Sequence, residues 1–325
     1  DGGPCDSGRV PERPARTRTL RLTGPYHFAG SVGLLPLGRH DPCARFVDGV
    51  FYWATRTPDG PATLALWREP GGGHAGPLSQ GGVLRAAGYG PGADWVVERA
   101  DAVAGLRDDV TGFAALATAH PLIARLARDH RGLRLPATGG LFPRLMRAIC
   151  EQKVTGQEAF RAYAAIVRRF GERAPGRIPG LWVPPAPEVL AATPYWAFHP
   201  LGLEQRRADT IRRAAREAGR LERCADSEEA TARMTAIPGV GPWTAAEVVR
   251  GVYGDPDAVS VGDYHIPNTV SWALAGEPRG DDARMLELLE PFRGHRGRVC
   301  VLLAAAGIAA PRFGPRMPLR SFATY

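Results

Sequence analysis

The chain has 325 residues, a net charge of +8 and a pI near 9.6. Its 44% hydrophobic and 23% charged residues are typical of a globular protein, and no apolar run approaches the ~20 residues that span a bilayer. Five widely spaced cysteines, with no Cys-x-x-Cys pair, argue against a disulfide framework, a zinc site or an iron–sulfur cluster. We therefore expect a cytoplasmic protein whose partner is a polyanion.

The first third of the chain predicts a small α+β domain. Residues 1–17 are polar and rich in proline and arginine, which indicates a flexible lead-in. Over residues 18–114, short β-rich runs alternate with turn signals such as Val47-Asp48-Gly49-Val50, and this pattern favours an antiparallel sheet with one or two helices. The glycine-rich stretch 70–90 is interpreted as a loop, and 95–106 as a strand that runs into a helix.

The rest of the chain is predicted to be helical. Between residues 115 and 309, apolar residues recur with a period of 3.6 and the connections are short. The predicted helices cover residues 122–129, 142–150, 156–170, 187–192, 204–218, 227–236, 242–253, 266–274, 281–289 and 296–305. The predicted fold class is therefore mainly α, a helical bundle preceded by the α+β domain, with a loose basic tail at 310–325.

A glycine-rich turn between two of these helices is suited to an anion. The segment Ile237-Pro238-Gly239-Val240-Gly241 follows an apolar helix end, and Pro242 suits the first position of the next helix. Two glycines permit a tight turn and a close backbone approach. The unpaired N–H groups and the dipole at such a helix start bind anions, so we expect a phosphodiester there; a plain turn between packed helices is the alternative.

A single carboxylate follows about 20 residues later. Asp263 lies among apolar and aromatic residues at the predicted start of a helix near Ile266. The position predicts an N-cap. A capping carboxylate can still face a cleft, so Asp263 is also the candidate catalytic group.

These segments resemble the helix-hairpin-helix base-excision DNA glycosylases, and among them the inducible 3-methyladenine DNA glycosylases of bacteria. The hairpin followed by Gly262-Asp263-Tyr264 carries the resemblance, which extends over residues 132–298. Further blocks follow the family order: Phe142-x-x-x-x-Arg147-Ala-Ile-Cys-Glu-Gln152-Lys-Val-Thr155, Leu201-Gly-Leu-x-x-x-Arg207-Ala-Asp-Thr-Ile211 and Pro291-Phe-Arg-Gly-His-Arg296.

The resemblance implies the removal of a damaged, alkylated base from double-stranded DNA by hydrolysis of its N-glycosidic bond. The base leaves the stack, and Asp263 stabilises the positive charge that develops on the sugar. Relatives that also cut the strand carry a lysine where this sequence has Trp243, and its only lysine is Lys153. The resemblance therefore implies a monofunctional enzyme, which we expect to act as a monomer.

The resemblance also assigns the remaining site residues. Aromatic faces suit cationic alkylated bases, and the expected base pocket comprises Trp243, Tyr264 and Glu247. The expected DNA contacts are Gly239, Gly241, Thr244, Gln152, Lys153, Arg293 and Arg296. Two residues depart from the family pattern: Glu247 replaces an aromatic or neutral residue, and Lys153 replaces an apolar wedge. No cofactor is required, but the backbone carbonyls of Thr235, Ile237 and Val240 are expected to hold a structural Na+ or K+.

Other functions stay open on the sequence alone. One is a bifunctional glycosylase/lyase on other lesions, in which Lys153 supplies the amine. Another is a hairpin protein that binds DNA without cutting it, which would keep the two glycines without needing Asp263 in a cleft. The sequence does not select among possible lesions.

Overall fold

An antiparallel sheet of five strands forms the N-terminal unit. The computed structural model describes residues 14–38, 40–69 and 82–311, so most of the predicted lead-in and tail lie outside the described residues. The strands are β1 (Arg16–Arg21), β2 (Ala44–Val47), β3 (Val50–Thr57), β4 (Gly60–Arg68) and β5 (Val83–Tyr89). They are arranged in the order β1-β5-β4-β3-β2, and each neighbouring pair is antiparallel.

The turn between β2 and β3 confirms the predicted hairpin. Asp48 and Gly49 both have positive φ, 48° and 80°, as the two central residues of a type I′ turn require. Val47 and Val50 therefore pair directly across the hairpin.

The prediction of a loop over residues 70–90 is wrong for its last part, because β5 lies there and pairs with both β1 and β4. Gly88, which suggested a loop, allows a helix to pack closely on the strand. A Cβ at this position would lie 2.7 Å from the carbonyl oxygen of Ala93. Residues 70–81 lie outside the described ranges.

Three short helices, α1 (Phe28–Val32), α2 (Ala93–Glu98) and α3 (Ala100–Val103), pack against the sheet and complete an apolar core with it. The strand expected near residue 95 is therefore helix α2. Val96 and Val97 are fully buried against the sheet, so their β-branched side chains fill a helix face rather than a strand face.

The remainder is helical, as predicted. The helices are α4 (Phe113–Ala117), α5 (Pro121–Asp129), α6 (Leu141–Cys150), α7 (Gly156–Phe170), α8 (Pro187–Ala192), α9 (Gln205–Leu221), α10 (Ser227–Thr235), α11 (Pro242–Val252), α12 (Ile266–Ala275), α13 (Asp282–Leu289) and α14 (Arg296–Ala305). None of the helices in the described ranges has the length and hydrophobicity required to span a bilayer. The sequence did not predict α4 or the small hairpin of β6 (Glu172–Arg173) and β7 (Trp182–Val183).

The helices build two apolar cores. One lies among α6, α7, α9, α10 and α11. The other joins α4 and α5 to α12, α13 and α14, which come from the far end of the bundle sequence. The division of the chain at residues 17, 114 and 309 stays a prediction.

Buried polar contacts fix the sheet unit to the bundle. Arg298 on α14 forms an ion pair with Asp108 in the segment that follows α3, and both side chains are at most 5% exposed. Arg147 on α6 donates to the carbonyl oxygen of Leu35, next to the sheet. These contacts attach α14 and α6 to the sheet unit.

Candidate active site

The glycine turn connects α10 to α11 and lies directly on α9. Gly239 has φ of 100°, and a Cβ there would lie 2.2 Å from the hydroxyl oxygen of Thr210 on α9. Glycine is needed both for the backbone conformation and for the close approach. Arg213, one turn further along α9, donates to the carbonyl oxygen of Pro238 at 3.2 Å.

The start of α11 presents unpaired backbone donors. Pro242 is its first residue, and no described side chain caps it. Within the described ranges, the amides of Gly241, Trp243 and Thr244 donate to no protein acceptor. A Cβ on Gly241 would meet no atom within 4 Å, so the approach to these amides is open. The geometry is that of an anion site at a helix N-terminus.

The turn after α6 braces this hairpin. The amide nitrogen Nε2 of Gln152 donates to the carbonyl oxygen of Gly239 at 3.0 Å and to the hydroxyl oxygen of Thr244 at 2.9 Å. Thr244 itself is buried. The next residue, Lys153, is exposed and has φ of 53°, a backbone conformation that side chains other than glycine rarely adopt. The structure thus places Gln152 and Lys153 beside the hairpin, as the predicted DNA contact requires.

Asp263 is held by three hydrogen-bond donors. Its Oδ1 accepts from the backbone amides of His265 at 2.7 Å and Ile266 at 2.9 Å. The N-cap position of α12 is His265 rather than Asp263, which satisfies two amides at the helix start from two residues before the cap. Its Oδ2 accepts from the indole Nε1 of Trp243 at 2.9 Å. The segment before it is anchored separately, because the amide of Gly262 donates to both carboxylate oxygens of Asp282 at 3.0 Å. The carboxylate is therefore oriented from two helices and remains partly exposed.

The two predicted pocket aromatics lie in different surroundings. Trp243 is partly buried and holds Asp263. The ring of Tyr264 is 83% exposed and contacts the ring of His265 edge-on. Tyr264 therefore faces solvent next to the carboxylate rather than lining an enclosed wall.

Glu247, one turn after Trp243 on α11, belongs to a buried ionic network. Its carboxylate pairs with Arg250, accepts from the hydroxyl of Ser260 at 2.6 Å, and lies 3.7 Å from Nη2 of Arg144 on α6. Burial alone would raise the pKa of Glu247, but the charges of Arg250 and Arg144 outweigh burial and lower it. Glu247 is thus an ionised partner of two arginines.

Those two arginines line a cavity of about 410 Å³ between the sheet unit and the bundle, which we call the interface cavity. Its walls come from β2, β3, α6, α7, α11, α14 and the loops beside them. The lining includes Asp41, Trp53, Arg144, Arg147 and Arg250. None of the five was predicted as a site residue: Arg147 lies in a block that resembles the family, but the other four are specified in no quoted motif, and the five come from four separate parts of the chain.

Asp263 and the interface cavity are neighbours. Arg250 and Arg144 line the cavity and contact Glu247, which is one helical turn from the indole that holds Asp263. Cys300 precedes a cavity residue of α14; burial raises the pKa of its thiol to about 12, and the charges of Arg250, Glu247 and Asp263 all act on it. The cavity therefore begins about two turns along α11 from Trp243, the residue that holds Asp263.

The arginines at the start of α14 have protein partners. Arg296 forms a two-point ion pair with Asp257, with contacts of 2.6 and 2.9 Å. Arg293 is exposed and pairs with Glu290. Arg298, which is buried against Asp108, is a structural residue. A role for Arg293 and Arg296 in DNA binding stays a prediction, and it requires their carboxylate partners to be shared or displaced.

Of the three hairpin carbonyl groups predicted to bind a cation, one accepts a hydrogen bond from the described part of the protein. The carbonyl oxygen of Ile237 accepts from the amide of Val240 at 2.9 Å. Within the described ranges, the carbonyl oxygens of Thr235 and Val240 accept no hydrogen bond. Their chemistry fits a cation that takes oxygen ligands.

Residues 146–293 match the model of the HhH-GPD superfamily of base excision DNA repair proteins. The chain carries an HhH-GPD domain. The match begins in α6 and ends just before α14, so the HhH-GPD domain contains Gln152, the hairpin and Asp263.

One curated relative is similar to this chain in sequence, and two solved structures are similar to it in fold. DNA-3-methyladenine glycosylase 2 of Escherichia coli is 33% identical over 177 residues, which are 53% of this chain and 61% of that protein's length. A 3-methyladenine DNA glycosylase from Archaeoglobus fulgidus has a TM-score of 0.74 at 19% identity, over 89% of this chain and 98% of the other. The Clostridium acetobutylicum 8-oxoguanine glycosylase/lyase in complex with double-stranded DNA has a TM-score of 0.63 at 11% identity, over 89% and 98% of the two chains. The fold class is thereby confirmed, including the antiparallel sheet that precedes the HhH-GPD domain.

Proposed function

We propose that this protein is a monofunctional DNA glycosylase that hydrolyses the N-glycosidic bond of a flipped-out, alkylated base in duplex DNA. The observation that carries the proposal is the partly exposed Asp263 carboxylate, which is held by three donors, one of them from the helix whose N-terminus is open to an anion. The name of the 33% identical relative, DNA-3-methyladenine glycosylase 2, supports an alkylated base as the substrate.

Asp263 acts on the sugar. Breaking the bond between base and deoxyribose builds positive charge on the ring, and a fixed carboxylate stabilises that charge and orients or deprotonates the attacking water. All three contacts of Asp263 are donated to it, the pattern that an ionised carboxylate takes. Its orientation is set before the substrate arrives, so little reorganisation opposes the reaction.

The hairpin binds the DNA backbone. The free amides at the start of α11 and the positive end of its dipole receive a phosphate, and the open space at Gly241 admits it. Gln152 and Thr244 support the turn rather than the phosphate directly. A monovalent cation bound by the carbonyls of Thr235, Ile237 and Val240 would add positive charge at the same turn.

When the damaged base flips out of the duplex, a side chain must fill the gap that it leaves in the base stack. Lys153 is exposed on a strained turn that Gln152 ties to the hairpin, and Tyr264 is exposed beside Asp263. Strained backbone is often retained at sites of function. We infer that the alkyl stem of Lys153 or the ring of Tyr264 enters the stack, while the ammonium of Lys153 contacts a phosphate.

The absence of a suitable amine supports hydrolysis without strand cleavage. Trp243 occupies the position of the lysine used by lyases, and its indole is engaged with Asp263. A lyase reaction would require Lys153 or the terminal amine. Borohydride trapping therefore separates the two enzymes: a covalent adduct with DNA that Lys153→Met abolishes would establish the bifunctional alternative.

The alternative of a DNA-binding protein without activity makes a different prediction, namely binding with no base release. We further infer that the protein acts as a monomer in the cytoplasm, because one lesion requires one pocket.

The decisive experiment is base release from methylated duplex DNA by the wild type and by Asp263→Asn, with products identified by mass. The wild type is expected to release methylated purines, and the variant to be slower by at least ~10²–10³-fold. Because the new amide faces the Trp243 N–H donor, the unfolding midpoint of the variant is measured as a control. Retained excision by a folded variant would overturn the role of Asp263.

A further inference from the structure

The interface cavity is large enough for a base and has an aromatic wall. Its volume of about 410 Å³ falls in the range of small-molecule sites. Trp53, on β3, lines it and is 9% exposed. An indole face suits a purine ring by stacking. The polar groups around this wall therefore decide which purine is accepted.

Most of the charged groups in the cavity already have their partners. Asp41 accepts from the amides of Leu37, Cys43 and Ala44. Arg147 donates to Glu151 at 3.1 Å and to the carbonyl of Leu35.

Arg250 is committed as well, to Ser260 at 3.2 Å and to Glu247. These groups line the cavity, but none of them offers a guanidinium whose two Nη groups are both free to donate to a ligand.

Arg144 differs from them. Its Nε donates to the carbonyl oxygen of Glu247 at 3.2 Å, but its Nη2 lies 3.7 Å from the nearer carboxylate oxygen, beyond hydrogen-bond distance. In the described part of the chain, the N–H groups of its two Nη atoms meet no hydrogen-bond acceptor. Its side chain is only 14% exposed. Burial and the charge of Arg147 lower its pKa to about 10, against the opposing charges of Glu247 and Glu151.

We propose that Arg144 donates to the keto oxygen of the flipped base, so that the cavity selects 6-keto purines over 6-amino purines. A guanidinium has only donors, and its geometry matches the O6 edge of guanine-type bases. A 6-amino purine directs N–H donors at the same place and leaves Arg144 unpaired. The proposal rests on the proposed function, since the cavity receives a base only if Asp263 acts on a flipped nucleotide.

Binding can be tested without excision. Duplexes with a single 2′-fluoro-deoxyinosine or 2′-fluoro-deoxyadenosine opposite thymine resist hydrolysis, because fluorine disfavours positive charge on the sugar. Fluorescence anisotropy is expected to show roughly tenfold tighter binding of the inosine duplex. Arg144→Met should remove that difference, whereas Arg125→Met, an exposed arginine on α5, should keep it. Equal affinity of the wild type for both duplexes would overturn the proposal.

Excision provides the second readout. DNA treated with dimethyl sulfate contains 7-methylguanine, a 6-keto base, and 3-methyladenine, a 6-amino base. Arg144→Met is expected to lower the ratio of released 7-methylguanine to released 3-methyladenine by roughly tenfold. Arg144→Lys, which keeps the charge next to Glu247 but lacks the planar fork, should also lower it. A purely structural role would slow the release of both bases equally, and that result would overturn the assignment.

The two experiments distinguish the two proposals. Inosine-selective binding that depends on Arg144, without any base release, would refute the glycosylase but retain the cavity assignment. Base release with an unchanged ratio in both Arg144 variants would retain the glycosylase and refute the assignment.

Discussion

The hairpin–carboxylate segment, residues 237–266, and the interface cavity are built in opposite ways. The segment is contiguous: its turn, its helix start and Asp263 follow one another within 30 residues and are joined by Trp243. The cavity is assembled from two strands, four helices and several loops, and only its Arg250 and Gly251 belong to that segment. One part can therefore position a reactive group by local geometry, while the other depends on how two units pack.

This comparison leads to an expected division of labour. The contiguous segment would supply DNA binding and the carboxylate, which every substrate needs. The assembled cavity would supply the choice of base. Damage to the packing between the units should then affect selectivity and stability before it affects binding to undamaged DNA.

The largest effect is expected from Arg298→Met. It leaves Asp108 buried without a cation and should lower the free energy of unfolding by about 3–5 kcal/mol, measured by urea denaturation. The double variant with Asp108→Asn should cost less than Arg298→Met alone. If the single variant were as stable as the wild type, the ion pair would not fix α14 to the sheet unit.

The next-largest effect is expected from one of two matched glycine-to-alanine substitutions in the turn. Gly239→Ala places a Cβ against Thr210 in a left-handed backbone and should lower the free energy of unfolding by about 2 kcal/mol. Adding Thr210→Ala to this variant removes the side-chain atoms that obstruct the new Cβ, and it should restore part of the lost free energy of unfolding. Gly241→Ala should leave stability nearly unchanged and weaken DNA binding. Weaker stability of the Gly241 variant would refute the open phosphate approach.

A smaller effect is expected at the indole that holds the carboxylate. Trp243→Phe removes one hydrogen bond to Asp263 and should slow excision roughly tenfold, or ~1.4 kcal/mol. Single-turnover kinetics measure this rate. Affinity for undamaged DNA should stay the same; a parallel loss of affinity would show that Trp243 mainly supports the hairpin.

The smallest effect is a pH dependence at the junction of α14. Burial and the charge of Arg298 lower the pKa of His295, whose Nδ1 accepts from Nε of Arg298 at 3.1 Å. As the pH decreases, His295 is therefore protonated in the unfolded chain before it is protonated in the folded protein. The free energy of unfolding should then fall below about pH 6.5. Denaturation midpoints between pH 7.5 and 5.5 should show a shallower slope for His295→Gln. An equal slope would exclude His295 as the source.

The contrast between the two regions also explains what the sequence could predict. Spacing and glycine chemistry locate the hairpin, Asp263 and Gln152 because each acts within a short segment. Trp53 looks like any strand residue, and Arg144 looks like a polar position on an amphipathic helix. Only the packing of the sheet on the bundle shows that both line one cavity.

Errors in the fold have similar causes. Gly88 suggested a loop because glycine is common there, whereas its lack of a side chain allows α2 to pack on β5. The ion pairs of Glu247 with Arg144 on α6 and Arg250 on α11 were also not predicted, and its place in the base pocket stays a prediction. Such long-range pairings leave no local pattern.

Lys153 has one practical consequence. It is the only lysine among the 325 residues, and it is exposed on the turn that Gln152 ties to the hairpin. An amine-reactive fluorophore would thus carry its side-chain label at a single position next to the hairpin that we propose binds DNA. The protein comes with a built-in attachment point for a sensor that reports, molecule by molecule, when the hairpin engages a duplex.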